Sequence, residues 1–304
     1  MPNAKARLKD YIHLHFLVFI AGFTAILGKE ISAGATAIVW YRMAIAAVLM
    51  FIYIKIIKLN IKVSRKTILK FSAAGVIIAL HWITFFESIK QSNISIALAM
   101  FSSGAFFASF IEPIFFKRRI LVYEIGFGLV VILGVFLITS SELKYINGII
   151  LGLLSALFST LFAVINGRFI ERYNATVISF YEFISGVLFL SLFIHFSGIH
   201  FNESFFTLSQ MDWIYIFILA SVCTAYAFIG AVEVMRYISP FTVILTYNLE
   251  PIYGILLALF LFPETEQMSF QFYLGAALII VTVLLDAILK NIKARKRKKM
   301  PVNN

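Results

Sequence analysis

Long apolar runs separated by short polar breaks are the dominant pattern of this sequence. A helix needs about 20 mostly apolar residues to cross the hydrocarbon core of a bilayer, and the runs reach or approach that length. The runs are continuous and lack the alternation of barrel strands, so the spanning elements are predicted to be α-helices. The predicted spans are residues 13–28, 35–57, 68–87, 94–116, 120–140, 146–167, 176–197, 213–234, 241–262 and 270–289.

Composition supports this interpretation. The 304 residues are 61% hydrophobic and 13% charged, whereas soluble domains are about half apolar and about a quarter charged. The connections are too short to hold a soluble domain, so function is expected among the helices. Cys223 is the single cysteine, which excludes an intrachain disulfide and a cysteine-based metal cluster. The sequence contains no Walker loop, dinucleotide-binding fingerprint or HExxH motif, so we expect neither a cofactor nor a metal.

The positions of the basic residues predict the orientation. Of the 26 Lys and Arg residues, only Lys29, Lys90 and Lys144 fall in loops assigned to the outside, and Arg42 lies inside a span. Basic loops stay in the cytoplasm, so both termini are predicted to be cytoplasmic in a multi-pass protein of the inner membrane. The basic tail, residues 290–304, is expected to lie against anionic lipid, and no nucleic-acid partner is predicted.

The two halves of the chain resemble each other. The matching segments share four identical residues each and are 23–31 (FTAILGKEI) with 162–170 (FAVINGRFI), and 35–42 (ATAIVWYR) with 175–182 (ATVISFYE). Arg42 thereby aligns with Glu182. Because each unit has five predicted helices, an odd number, the second unit enters the membrane in the opposite sense. The prediction is an all-α membrane protein of ten transmembrane helices in two inverted five-helix repeats, residues 13–140 and 146–289.

Three strings carry a family resemblance: GFTAILGKEI and WYRMAIAAVL in the first unit, and TYNLEPIYGILLALFLFPETE in the second. They resemble the paired EamA domains of the drug/metabolite transporter superfamily, over about residues 16–289. The resemblance implies ten helices, an inverted duplication, and export or uptake of amino acids, other metabolites or toxic compounds. Arg42 matches an arginine that recurs early in the second helix of such proteins, and Pro251 with Glu264 matches a proline followed by a Glu-containing loop. The first unit departs from the latter pattern, with Ala105 and Arg118 at these positions.

Ionisable residues inside the spans are the candidates for transport, because a charge in hydrocarbon requires a partner or water. Glu250 is predicted near the midplane, roughly 13 Å from the inner surface at 1.5 Å per residue. Pro251 supplies no N–H, so the helix is expected to loosen there. Arg42 is predicted roughly 10 Å below the outer surface. We expect Arg42 to hold an anionic substrate group or to pair with Glu250; the alternatives are snorkelling to the headgroups and a structural ion pair.

Five further residues are candidates for substrate or proton binding, and two of them, Glu182 and His81, carry alternatives of their own. Glu182 either mirrors the role of Arg42 or snorkels to the membrane surface. His81, beside Trp82, either relays protons or is a hydrogen-bonded packing residue. Tyr247 and Asn248 are expected to line a cavity.

Pro113 is the second predicted helix break, in the fourth span. Glu112 precedes it and lies five residues before Lys117. Glu112 is therefore either a functional carboxylate beside a broken helix or one partner of a salt bridge at the membrane surface.

The leading functional hypothesis is secondary transport of small metabolites by alternating access, in the direction of efflux of amino acids or related compounds, coupled to H⁺ or another ion. One alternative is a channel or a non-transporting membrane sensor, which an inverted duplication does not exclude. Another is an intramembrane enzyme, which requires several polar groups at one depth. The ionisable residues are scattered across depths, so we predict no enzyme. No pattern predicts the oligomeric state.

Overall fold

The computed structural model describes residues 7–117, 122–198, 201, 203–234, 237–238 and 246–299. The regular elements within these ranges are all helices, as predicted. The α-helices are α1 Leu8–Glu30, α2 Ala35–Ile56, α3 Arg65–Gln91, α4 Ile94–Phe101, α5 Gly104–Phe116, α6 Val122–Ser141, α7 Ile146–Phe169, α8 Ala175–Phe196, α9 Glu203–Phe206, α10 Gln210–Ala220, α11 Ala227–Val234, α12 Glu250–Leu261, α13 Pro263–Glu266 and α14 Phe270–Lys299. A 3₁₀ turn, Leu143–Tyr145, precedes α7, and a π-helical segment, Ser221–Tyr226, joins α10 to α11.

Some predicted features fall outside the described ranges. These are Arg118, the start of the fifth predicted span at 120–121, the start of the ninth at 241–245, and the end of the basic tail at 300–304. The described part of the predicted tail continues α14 as a helix to Lys299.

Eight helical stretches of the described chain are long and apolar enough to cross a membrane, with α4 and α5 counted together and α10 counted through residue 231. Two shorter apolar helices, Glu250–Leu261 and Phe270–Asp286, follow them. The total of ten requires that both of these also cross, so that count stays a prediction. Large apolar side chains such as Leu129 and Phe136 on α6 are exposed at the bundle surface, which suits a surface in contact with lipid.

Two predicted spans are interrupted. The fourth is divided into α4 and α5 at Ser102 and Ser103, whose hydroxyls donate to carbonyls of the preceding turn. Such side-chain hydrogen bonds compete with the helical ladder and bend helices. The eighth contains the π segment, in which the Thr224 hydroxyl donates to the carbonyl of Leu219 at 2.7 Å.

The two prolines predicted to break helices differ in position. Pro251 lies in the first turn of α12, where the missing N–H has no helical partner in any case. Pro113 lies inside α5, which continues to Phe116. This corrects the prediction of a break at Pro113: the proline sits in the last turn of its helix, so it removes one hydrogen bond near an end that Lys117 closes with φ 51°. The interruption of this span lies a few turns earlier.

The two ends of the bundle differ in charge. Residues 57–64, together with Lys117, Arg168 and Arg172, mark one end, which we call the basic end. Successive spans alternate in direction, so the loops at 31–34 and around 262–269 lie at the other end, which we call the opposite end.

Buried acidic residues tie the helices together at the opposite end. Glu266 is fully buried and contacts Lys29 Nζ at 2.8 Å. It also accepts hydrogen bonds from the first backbone N–H groups of α4, including that of Ile94 at 3.2 Å. Asp212, at the start of α10, accepts from the backbone and the hydroxyl of Ser32, both at 2.7 Å. The opposite end is therefore closed by contacts between the first and second halves of the chain.

Close helix packing positions the middle of the bundle. α3 packs most extensively against α7 and α8. Gly75 of α3 lies against the backbone of Glu182, and a Cβ atom at position 75 would collide with the Glu182 carbonyl oxygen. Gly186, one turn further along α8, faces Met43 of α2. Small residues at such crossings let membrane helices approach closely.

We expect Gly75→Ala to destabilise the protein by about 1–3 kcal/mol, because the added methyl group meets backbone that cannot rotate away. Gly126→Ala is the matched control, since nothing lies within 4 Å of a Cβ at that helical position. Thermal unfolding of the two purified variants in one detergent measures the difference. Equal unfolding temperatures for both variants would contradict the packing described here.

Candidate functional site

A cavity of about 440 Å³ lies among α1, α2, α3, α7, α8, the π segment and the start of α12. Its lining reaches the basic end at Ile170 and Thr176, between α7 and α8. Toward the opposite end it stops at Thr24 and Phe85, roughly 9 Å short of the ends of their helices at 1.5 Å per residue. The volume falls within the range of about 300–1,000 Å³ that is usual for small-molecule sites.

Most of the predicted site residues come together here. Those that line the cavity are Arg42, His81, Trp82, Glu182, Tyr247 and Glu250. Asn248, Pro251, Pro113 and Glu112 are not among the lining residues.

Arg42 is 4% exposed, and protein groups hold its guanidinium on several sides. Nε donates to Thr224 Oγ1 at 2.7 Å, and Nη2 donates to the carbonyl of Cys223 at 3.4 Å. Cζ lies 3.9 Å from the ring centroid of Trp82, which is a cation–π contact. Nη1 is buried without a hydrogen-bond partner. Arg42 therefore does not snorkel; it is fixed in place with one donor available.

The π segment supplies the acceptors for Arg42. In a π-bulge the hydrogen bonds run to residue i−5 and one extra residue is accommodated in the helix. The Thr224 hydroxyl donates its proton to the carbonyl of Leu219, five residues earlier, so the lone pairs of Oγ1 remain for Arg42 Nε. The carbonyl of Cys223, in the same segment, receives a second N–H of the guanidinium. A local irregularity of the backbone thus solvates a buried cation.

Glu182, the residue aligned with Arg42, is 1% exposed, so in this structure it does not snorkel. The Asn166 side chain lies beside it. Neither carboxylate oxygen has a partner that meets hydrogen-bond geometry. A carboxylate buried in this way requires a proton, a cation or a polar ligand, because an isolated charge in a low-dielectric interior costs several kcal/mol.

Glu250 is the first residue of α12 and lies within electrostatic range of Arg42. No direct ion pair joins these two side chains within the described part of the chain. The start of α12 packs against α1, where a Cβ at Gly22 would lie 3.0 Å from the carbonyl oxygen of Glu250. A helix that begins inside the bundle directs its positive dipole end at the cavity, as half-helices in transporters do.

His81 is tied to α7. Its Nδ1 lies 3.0 Å from the carbonyl oxygen and 2.9 Å from the hydroxyl of Ser155, and its ring stacks on Phe101 with 5.4 Å between centroids. These contacts fit the packing alternative, in which Nδ1–H donates to the carbonyl. Trp82, the next residue, supports the Arg42 guanidinium instead.

Sequence reasoning missed the partners of the charged residues. Thr224 carried no signal, because a neutral hydroxyl in an apolar helix is common. Asn166 carried one: it aligns with Leu27 in the repeat, so a polar residue replaces an apolar one at corresponding positions.

Comparisons with known proteins decide the family. The profile of the EamA-like transporter family matches residues 11–140 and 146–286. The chain belongs to the EamA-like transporter family. EamA proteins are membrane transporters, and the two matched stretches are the two EamA repeats of this chain. A search of curated proteins gives no significant match.

A crystal structure described simply as that of a protein is similar in fold to this EamA protein. It is 12% identical, with a TM-score of 0.64, over 93% of this chain and 99% of that one. At this identity the likeness shows the fold alone.

The native Cys223 gives a direct test of where the cavity opens. It lines the cavity and is the single cysteine of the chain. We expect a small charged thiol reagent to modify Cys223 faster from the basic end than from the opposite end. Labelling of oriented vesicles, read by mass spectrometry, measures the two rates, and Cys223→Ser gives the background. Faster labelling from the opposite end would reverse the assigned opening.

Proposed function

We propose that this protein is a secondary transporter that moves small polar metabolites, such as amino acids or related compounds, across the inner membrane by alternating access. One observation carries the proposal. The cavity holds a buried guanidinium with a free donor and a buried carboxylate with two free oxygens. Buried polar atoms of both signs that lack a hydrogen bond of good geometry are complementary to a polar solute that carries both charges.

The distribution of charge supports an orientation. Basic loops remain in the cytoplasm, so we assign the basic end and both termini to the cytoplasmic side. In that orientation the cavity faces the cytoplasm and is closed toward the outside. Loading from the cytoplasm is the first step of export, and we therefore favour efflux.

The halves of the chain support the transport mechanism. We propose ten membrane crossings, with residues 13–140 and 146–289 as the two inverted repeats and residues 290–304 as a cytoplasmic tail. Inverted repeats exchange conformations to open a central site to each side in turn. Glu250, which lines the cavity within electrostatic range of Arg42, is the group that we assign to binding either substrate or a coupling proton.

We expect Arg42→Gln and Glu250→Gln each to reduce gradient-driven uptake of substrate into vesicles by about tenfold or more. The reason is that each substitution removes one of two opposite charges that lie within electrostatic range in the cavity. A tenfold loss corresponds to about 1.4 kcal/mol. The matched controls are Arg172→Gln and Glu171→Gln, which remove the same charges from exposed side chains outside the cavity lining.

Uptake is measured with purified full-length protein that elutes as one species. Candidate solutes come from a screen for resistance of expressing cells to toxic amino acids and metabolites. Unchanged uptake by both cavity variants, with normal folding, would contradict the assignment of Arg42 and Glu250 to the binding site. If the unmodified protein transported no solute of the screen, the transport function would be contradicted and the alternative of a membrane sensor would be favoured.

The inverted arrangement predicts that both termini lie on the same side of the membrane. In a Cys223→Ser background, Asn3→Cys and Asn303→Cys are expected to resist an impermeant thiol reagent in intact cells and to react in opened membranes. Lys144→Cys, in a loop assigned to the outside, is the control that reacts in intact cells. Termini on different sides would contradict an inverted pair of five-helix units.

A further inference from the structure

The contacts between α2 and α8 give the depth of the two charged groups. Trp40 Nε1 donates to Ser191 Oγ at 2.9 Å, and Phe51 stacks on Phe180 with ring centroids 5.9 Å apart. The pairs show that the helices run antiparallel. Their alignment brings Arg42 level with about residue 189 of α8, so Glu182 lies about seven residues, or roughly 10 Å, closer to the basic end at 1.5 Å per residue.

The charged groups of the cavity therefore form a pattern along its length. Arg42 and Glu250 lie near each other in the middle of the bundle. Glu182 lies separately, toward the basic end. Among the described lining residues these three carry the formal charges, so the cavity has one cationic and two acidic side chains. A solute complementary to all three has one anionic and two cationic groups.

The unpartnered atoms show where such a solute would bind. Nη1 of Arg42 and both oxygens of Glu182 are buried and lack hydrogen-bond partners, although both residues line the cavity. Apolar side chains, including Phe101, Phe162 and Phe228, also line the cavity. A chain of methylene groups suits such apolar walls, and charged groups suit the polar side chains.

We propose that the cavity recognises diamino carboxylic acids of the size of lysine. The carboxylate accepts from Arg42 Nη1, the α-ammonium donates to Glu250, and the ammonium at the end of the side chain donates to Glu182. This proposal rests on the proposed transport function and narrows its substrate class. In this proposal, Glu182 selects solutes that carry a second ammonium group at the end of the side chain.

The test compares two probes that differ in one group. L-Lysine has an ammonium where L-2-aminoheptanoate has a methyl group of similar size. We expect the purified protein in nanodiscs to bind lysine about tenfold or more tightly than 2-aminoheptanoate by calorimetry. This is a difference of about 1.4 kcal/mol, which a close charge pair in a binding site can supply. Glu182→Gln is expected to abolish that preference because it weakens the binding of lysine. The affinity for 2-aminoheptanoate is expected to change by less than about twofold. Cadaverine, which lacks the carboxylate, is expected to bind weakly to both proteins.

Glu171→Gln is the matched control, because it removes a carboxylate that is 54% exposed on the α7–α8 connection. It is expected to keep the full preference for lysine. Should Glu182→Gln fail to fold, Glu182→Asp replaces it and is expected to retain the preference in weaker form, since the charge remains but is drawn back by one methylene.

Four results would overturn the proposal. The first three are equal binding of lysine and 2-aminoheptanoate by the unmodified protein, equal weakening of both probes by Glu182→Gln, and loss of the preference in Glu171→Gln. The fourth is a failure of lysine to bind. In the second case Glu182 has a structural or proton-carrying role. If lysine does not bind while another solute is taken up along a gradient, this substrate class fails and the transport function stands. If no solute is taken up, the transport function fails too.

Discussion

The high cost of an unneutralised charge in hydrocarbon is the constraint around which this structure is organised. Arg42 is buried near the middle of the bundle, and three unrelated elements contribute to its stability there. The π segment supplies two oxygen acceptors, Trp82 supplies its ring face, and Glu250 supplies a negative charge at the start of α12. The π segment between α10 and α11 thus supplies the oxygen acceptors for the cation that it faces.

The same constraint explains where the close packing lies. Glu182 can stay buried only if its helix is held firmly against its neighbours. Gly75 allows α3 to touch the Glu182 backbone, and Gly186 accommodates Met43 from the other side. At the opposite end, Glu266 joins Lys29 to the start of α4, which links the two repeats at a point remote from the cavity. Rigid packing and a polar cavity are therefore parts of one arrangement.

Much of this architecture could be predicted from the sequence, because apolar length and charge bias act along the chain itself. The predicted spans, the resemblance between the two halves, and the alignment of Arg42 with Glu182 in that resemblance all come from local sequence patterns. The division of the fourth span at Ser102 and the π segment could not be predicted. The string SVCTAY contains no Gly or Pro, and the extra residue in this helix becomes visible only when Thr224 meets Arg42.

The burial of Glu182 was also beyond sequence reasoning. The depth of Glu182 along α8 follows from counting residues. Whether its side chain points into the bundle depends on which face of α8 packs against α3. A helix that is apolar around its whole circumference gives no indication of that face. Pro113 shows another limit of sequence reasoning. The missing N–H of proline predicts a helix break, but Pro113 lies in the final turn of α5, where few helical hydrogen bonds remain to be lost.

The π segment makes the two halves of the chain structurally unequal. Its counterpart in the first repeat is α3, which runs without interruption from Arg65 to Gln91. Within the described residues, the second half carries the π distortion that contacts Arg42, and α3 in the first half does not. If the two halves exchange conformations as proposed, this distortion stays in the second half. The two facing states would then differ in free energy even without bound substrate, and the empty protein would favour one of them.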